Sequence, residues 1–94
     1  MSPRAAALPS KTQFAREIGV RLQRLRIARG LSQEKLAHLA GISTYTYQKF
    51  EKGESKPDTP MNPRLFTILA LAQALDVVLE EILPADWPDL TAGR

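Results

Sequence analysis

Residues 32–53 read SQEKLAHLAGISTYTYQKFEKG, and this stretch predicts two short helices joined by a tight turn. Ser32 and Ser43 each stand where a side chain can cap the start of a helix. Gly41 lies between the two helices and can adopt the positive φ that such a turn requires. Ala37 is small enough for the second helix to cross closely over the first.

The second of these helices has one apolar face and one outward face. Helical spacing turns Ile42, Tyr47 and Phe50 toward a core. The outward positions are Thr44, Tyr45, Gln48 and Lys49. A helix with polar, base-reading side chains on its outer face fits the DNA major groove. The competing interpretation is a solvated helix face that contacts no partner.

The sequence on either side completes an all-α pattern of five helices. An apolar stripe of period 3.6 predicts a first helix over residues 12–29, which Gly30 ends. A second stripe predicts a fourth helix up to residue 75, with Pro63 at its first position. A short fifth helix is predicted over residues 79–83. No stretch alternates as a strand would, so residues 54–63 are predicted as a polar loop.

Length and composition predict a single small domain and argue against a catalytic or metal site. Its 94 residues have room for one modest core, predicted over residues 12–83, between a flexible arm at 1–11 and a tail at 84–94. The two-helix unit occupies residues 33–52. The sequence holds no cysteine and only one histidine, His38, which excludes thiolate and two-histidine metal sites. We therefore expect no enzyme activity and no cofactor.

No apolar run is long enough for a membrane span, and the N-terminus lacks an apolar secretory segment. These observations predict a cytoplasmic protein with no membrane partner.

The charges are unevenly distributed along the chain. Residues 1–30 carry a net +6, residues 31–64 a net +1 and residues 65–94 a net −4. A basic front and an acidic back orient a molecule toward a polyanion such as DNA. The competing interpretation is that the first helix simply has a solvated basic face.

Several linked motifs resemble the XRE-type, lambda-repressor-like helix-turn-helix family. They are RLQRLRIARGLSQEKLA, LAGIS, KFEKG, ILALAQALDV and LEEIL, in this order between residues 18 and 83. Each motif is short and degenerate, but their order and spacing together are specific. The resemblance implies a compact five-helix domain that binds operator DNA, usually as a symmetric dimer.

The resemblance also implies roles for individual residues. An arginine of the first helix, Arg26, matches a family position that pairs with the glutamate at Glu51 and locks the recognition helix to the scaffold. Gln33 matches a glutamine that holds a DNA phosphate at a helix N-terminus. Further phosphate contacts are expected at Ser43, Lys52, Lys56 and Arg64. For Lys52, Lys56 and Arg64 the alternative is a solvated surface position, and Ser43 is also expected to cap its helix.

The chain departs from the family pattern at three places. Tyr47 stands where isoleucine or valine is usual, so its hydroxyl needs a partner or an exit to solvent. The loop after Gly53 is longer than the common form, with DTPMNP as the insertion. Thr44 replaces a glutamine of some repressors, so their operator sequences do not transfer.

Apolar residues near the C-terminus predict a partner surface. The residues are Ile82, Leu83, Trp87 and Leu90. A homodimer through this surface would place two recognition helices about 34 Å apart. The alternative is that Trp87 folds back over the core.

Two other functions remain open. One is an interaction protein, such as an antitoxin that neutralises a partner protein. The other is a degenerate module that uses the fold only for protein contacts.

Overall fold

Five helices and two short strands make up the part of the chain that the computed structural model describes, residues 8–92. The elements are α1 (Lys11–Ala28), α2 (Gln33–Ala40), α3 (Thr44–Lys52), β1 (Glu54–Lys56), β2 (Thr59–Pro60), α4 (Leu65–Leu75) and α5 (Leu79–Ile82). Most of the predicted arm, residues 1–7, and the last two residues of the predicted tail lie outside the described residues.

The helix ends follow from local capping residues. Ser32 and Ser43 each accept a hydrogen bond at 3.0 Å from the backbone N–H three residues later. Ser10 caps α1 in the same way and completes a capping box with Gln13, a signal that we did not predict. Gly41 ends α2 with φ +73°, which confirms the predicted turn.

The prediction of a purely α-helical fold is wrong in one respect, because β1 and β2 form an antiparallel hairpin. Pro57 and Asp58 make its turn, and Asp58 has φ +63°. Proline supplies the fixed negative φ of such a turn, and aspartate tolerates the left-handed region. Strands of three and two residues are too short for alternation to appear in the sequence.

The core lies between the helices: α1 packs on α3 and α5, α2 packs on α3 and α4, and α4 packs on α5. Its fully buried large side chains are Leu22, Leu36, Tyr47, Leu71, Leu75 and Ile82. The predicted burial of Tyr47 and Phe50 is confirmed, and Ala37 is buried at the close crossing of the two short helices.

Two details of α4 differ from the prediction. The helix begins at Leu65, with Arg64 as its N-cap and Pro63 outside it. The apolar stripe Leu65, Ile68, Leu69, Ala72 and Leu75 predicts that Leu65 faces the core, but Leu65 is 64% exposed, whereas Leu71 is fully buried. None of the helices within residues 8–92 combines the length and apolar character needed to cross a membrane.

Candidate nucleic-acid interface

α3 is held closely against α1 at two glycines. A Cβ added at Gly19 would lie 2.5 Å from the backbone oxygen of Glu51, so only glycine allows the two helices this approach. Gly53 ends α3 with φ +76°, and a Cβ there would lie 2.7 Å from the Cα of Arg16. The sequence did not reveal the role of Gly19, because a glycine inside a helix carries no signal of what crosses it. These contacts fix the position of α3.

An ion pair adds a second attachment between the same helices. The Nε of Arg26 donates to Oε2 of Glu51 at 2.6 Å, and Nη2 donates to Oε1 at 3.2 Å. Arg26 also donates to the backbone oxygen of Leu31 at 2.9 Å. The exposed fractions of the two side chains are only 13% and 6%. The structure thus brings together the two residues that the family resemblance paired.

The hydroxyl of Tyr47 finds its partner in the same ion pair. It donates to Oε2 of Glu51 at 2.5 Å, so the unusual tyrosine is accommodated in the core without an unpaired polar group. Among the described residues, no buried side-chain nitrogen or oxygen lacks a hydrogen-bond partner.

The protonation states of the cluster formed by Arg26, Tyr47 and Glu51 follow from its contacts. Burial alone would raise the pKa of the Glu51 carboxyl, but hydrogen bonds from Arg26, Tyr47 and Gln33 hold the pKa below its ordinary value. The hydrogen bond to Glu51 raises the pKa of the Arg26 guanidinium. Burial, and then the bond to Glu51, raises the pKa of the Tyr47 hydroxyl. Glu51 is therefore a carboxylate, and Tyr47 keeps its proton, at neutral pH.

Gln33 joins this cluster instead of standing alone at the start of α2. Its Nε2 donates to Oε1 of Glu51 at 3.0 Å, and its Oε1 accepts from Nε2 of Gln48 at 3.3 Å. An open cleft of about 380 Å³ lies beside these side chains, lined by Gln23, Gln33, Gln48, Glu51 and Lys52. Gln23 of α1 was missed from the sequence, because its position is set by how α1 lies against α2 and α3.

The outward face of α3 carries the four residues predicted to read bases. Tyr45 is 67% exposed, and the Nζ of Lys49 lies 4.4 Å from the centre of its ring. This is cation–π distance, so the two side chains order each other. Gln48 is exposed beside them, and Thr44 is partly buried at the start of the helix.

The predicted phosphate-binding residues are spread over several elements. Ser43 uses its hydroxyl locally, because it accepts from the N–H of Thr46 and donates to that residue's Oγ1 at 2.9 Å. Lys52 ends α3, Lys56 ends β1 and Arg64 immediately precedes α4, and all three are exposed. Nothing within residues 8–92 groups three or more His, Cys, Asp or Glu side chains as a metal site would.

Comparison with known proteins decides the family. A model described as a helix-turn-helix domain matches residues 17–83. The chain belongs to the XRE-type helix-turn-helix family. This membership, in a family of transcriptional regulators, supports the prediction that the domain is not an enzyme.

A named relative agrees with this family assignment. The chain is 35% identical over 54 residues to the SPbeta prophage-derived HTH-type transcriptional regulator YonR of Bacillus subtilis, a match that covers 57% of this chain and 50% of YonR. The chain thus spans about half the length of that relative.

Three solved structures extend the comparison. The restriction-modification controller protein C.AhdI from Aeromonas hydrophila has 39% identity and a TM-score of 0.64, covering 73% of this chain and 96% of that chain. The biofilm regulator SinR in complex with DNA has 25% identity and a TM-score of 0.59, covering 69% and 95%. SinR in complex with SinI has 25% identity and a TM-score of 0.61, covering 72% and 61%.

Proposed function

We propose that this chain binds double-stranded DNA sequence-specifically, with α3 in the major groove, and regulates transcription by occupying an operator or promoter. One observation carries the proposal. α3 is fixed to α1 by the Gly19 contact and by the Arg26–Glu51 ion pair, while its outward face presents a set of polar and aromatic side chains. The complex of SinR with DNA supports it. The match at residues 17–83 supports a DNA-binding unit at 12–83.

Two groups of contacts follow from this placement. We assign base reading to Thr44, Tyr45, Gln48 and Lys49, and phosphate contacts to Gln33, Ser43, Lys52, Lys56 and Arg64. Base contacts specify sequence, whereas phosphate contacts set register and contribute affinity to every sequence alike. Transcriptional regulation would place the protein in the cytoplasm, in contact with the chromosome.

Selection of bound sequences from a random duplex pool, at a stated salt concentration, tests the proposal. The purified chain should enrich one sequence, and the Gln48→Ala variant should lose preference at a single base position. Such a contact discriminates by about 1–3 kcal/mol. If the chain enriched no sequence and bound only in a salt-sensitive, sequence-independent way, sequence-specific regulation would be wrong.

We further propose that the protein binds an inverted repeat as a homodimer. The predicted partner surface needs one correction, because Ile82 is fully buried in the core and Leu83 is partly buried against it. Trp87 and Leu90 are 60% and 66% exposed, and the Trp87 indole N–H donates to the backbone oxygen of Pro84 at 3.1 Å. These two exposed side chains are the ones that a second copy of the chain would contact at the C-terminal surface.

Sedimentation of Trp87→Ala tests this surface. The variant should dissociate to monomers at concentrations where the wild type is dimeric. Phe66→Ala is the matched control, since Phe66 is an aromatic residue on α4 that is 81% exposed. Loss of the dimer in the control alone would move the interface to α4.

A protein partner is a second candidate function, which the complex of SinR with SinI favours. The C-terminal segment after α5 would then bind the partner instead of a second copy. Co-purification from the native host distinguishes the two, because a stoichiometric partner that requires Trp87 would support this candidate.

A further inference from the structure

An apolar groove of about 430 Å³ lies where α1, the segment after β2, α4 and the C-terminal tail meet. Its walls include Phe14 and Ile18 of α1, Met61, Ile68 of α4 and Leu83. None of the residues assigned to base reading or phosphate contacts lines it, so the proposed DNA contacts leave it unused. A cleft of this size with apolar walls is suited to an apolar group.

The exposed tryptophan of the tail stands beside this groove. Pro88 and Leu90, which follow Trp87, line the groove of their own copy, whereas the Trp87 ring is 60% exposed. The Trp87 indole N–H donates to the backbone oxygen of Pro84 at 3.1 Å, and the prolines at 84 and 88 restrict the backbone on both sides. Trp87 is therefore an apolar projection that is ordered in advance, next to an apolar recess.

The Trp87 ring can enter an apolar groove without leaving a polar atom unpaired. An indole has one hydrogen-bonding group, the N–H donor, and Pro84 already accepts from it. Burying an aromatic side chain removes about 150–250 Å² of surface from water. Because the ring is held in advance by its own chain, little further ordering opposes this gain.

The charges beside the ring and at the groove are opposite. Among the described residues that line the groove, Lys11 alone is charged. Asp89 is exposed two residues after Trp87, and hydrogen bonds from Thr91 hold the pKa of its carboxyl below the ordinary value. A negative charge beside the projection and a positive charge at the recess favour association of one with the other.

A projection and a recess on one surface are what a two-fold contact requires, because each copy then inserts once and accepts once. We propose that the homodimer forms by reciprocal insertion: Trp87 of each copy enters the groove of the other and packs against Ile18 and Leu90. This inference rests on the proposed homodimer, whose contact it names, and it does not depend on where α3 lies on DNA.

The fluorescence of Trp87 reports this contact directly, because Trp87 is the only tryptophan in the sequence. An indole that moves from water into apolar surroundings emits at shorter wavelengths. The emission of the wild type should therefore shift to shorter wavelengths as the protein concentration rises. The shift should occur over the same concentrations at which sedimentation shows the dimer forming.

Asn62→Phe blocks the groove and leaves Trp87 in place. Asn62 lines the groove and is exposed, so a phenylalanine can occupy the recess while the fold is kept, which thermal unfolding checks. Both Asn62→Phe and Trp87→Ala should raise the dimer dissociation constant by about 30-fold or more, the usual effect of losing a central tryptophan contact. Gln73→Phe is the matched control, since Gln73 is exposed on α4 and does not line the groove, and it should dimerise as the wild type does.

A mixture of two variants separates the projection from the recess. Trp87→Ala has an open groove and no tryptophan, whereas Asn62→Phe keeps Trp87 and has a blocked groove. Adding Trp87→Ala to Asn62→Phe should shift the emission to shorter wavelengths, because each mixed dimer holds one complete contact. A protein that carries both substitutions, added in the same way, should cause no shift.

Three outcomes would overturn the inference. If Trp87→Ala abolished the dimer, but Asn62→Phe dimerised normally and the mixture gave no shift, Trp87 would contact the second copy elsewhere, and the homodimer would stand. If the wild type emitted at short wavelengths at every concentration, Trp87 would be packed against its own chain. If the wild type stayed monomeric at every concentration, with and without DNA, the proposed homodimer and this inference would both be wrong, and sequence-specific DNA binding would still be decided by the selection experiment.

Discussion

The tyrosine in the core shows how one unusual residue is accommodated by its neighbours. A hydroxyl buried without a partner costs free energy, and Tyr47 avoids this cost by donating to Glu51 at 2.5 Å. In return, Glu51 gains a third donor group beside Arg26 and Gln33. An aliphatic residue at position 47 would fill the core but leave the carboxylate with fewer hydrogen bonds.

Replacing Tyr47 by phenylalanine isolates this hydrogen bond. We expect Tyr47→Phe to lower the free energy of unfolding by about 1.5–3 kcal/mol, the usual contribution of a hydrogen bond to a charged group. Denaturant unfolding measures the difference. Tyr45→Phe is the control, because Tyr45 is 67% exposed and its hydroxyl should contribute less than about 0.5 kcal/mol. Equal effects of the two substitutions would contradict the assignment.

The ionisation of Glu51 predicts how stability depends on pH. Its pKa is lower in the folded state than in the unfolded chain. A carboxyl of this kind stabilises the fold above its unfolded pKa, and this stabilisation is lost as the pH falls through the folded pKa. We expect Glu51→Gln to lower the free energy of unfolding by about 3 kcal/mol at pH 7, because Arg26 stays buried without its counter-charge.

The pH series that checks this prediction compares Glu51→Gln with Glu54→Gln. The stability gap between the wild type and Glu51→Gln should shrink as the pH falls from about 4.3, where the Glu51 carboxyl of the unfolded chain binds a proton, toward the lower pKa of the folded state. Glu54 lies 3.8 Å from the Arg16 guanidinium, whose side chain is 63% exposed, so its substitution should matter little at any pH. A gap for Glu51→Gln that stays constant with pH would contradict the prediction.

Among the elements, the crossing of α1 over α3 determines how the proposed recognition helix is held. The two helices approach so closely at Gly19 that their backbones are in contact. Substituting alanine for glycine inside a helix ordinarily adds stability by about 0.5–1 kcal/mol. Here the added methyl group would meet the backbone oxygens of Phe50 and Glu51, which cannot move without displacing α3.

We therefore expect Gly19→Ala to destabilise the protein by about 1–3 kcal/mol, against the usual direction of this substitution. Thermal unfolding followed by circular dichroism measures the effect. Val20→Ala is the control at the neighbouring position, where Val20 is 42% exposed and the change should be within about 0.5 kcal/mol. An unchanged or raised melting temperature for Gly19→Ala would show that α3 is free to shift.

The elements also show what a sequence can and cannot predict. The ends of α2 and α3 were predictable because Ser32, Ser43 and Gly41 act within three or four residues of themselves. The hairpin was missed, since its strands are too short to show a period. The contacts of Gln33 with residues 15 and 18 positions away were also missed, because they depend on how α2 lies against α3.

Across the whole molecule, the distribution of charge and the location of the hairpin indicate how the chain would approach DNA. The N-terminal 30 residues are strongly basic and the C-terminal 30 are acidic. The acidic residues Asp76, Glu80 and Glu81 are exposed around the end of α4 and on α5. Such an asymmetry favours approach with the basic side first. The hairpin carries Lys56 beyond the C-terminus of α3, where a phosphate contact would add affinity without sequence preference.

Salt dependence separates this electrostatic contribution from base reading. Lys56→Ala should weaken binding to all sequences alike and reduce the slope of log K against log salt by about 0.9, the value for one lost phosphate contact. Arg29→Ala removes the same charge, but Arg29 donates to the backbone oxygen of Asp76 at the end of α4, so the slope should stay close to that of the wild type. Titrations at several salt concentrations measure both slopes. An equal reduction in the two variants would mean that net charge alone sets the affinity, and that the hairpin does not touch the DNA backbone.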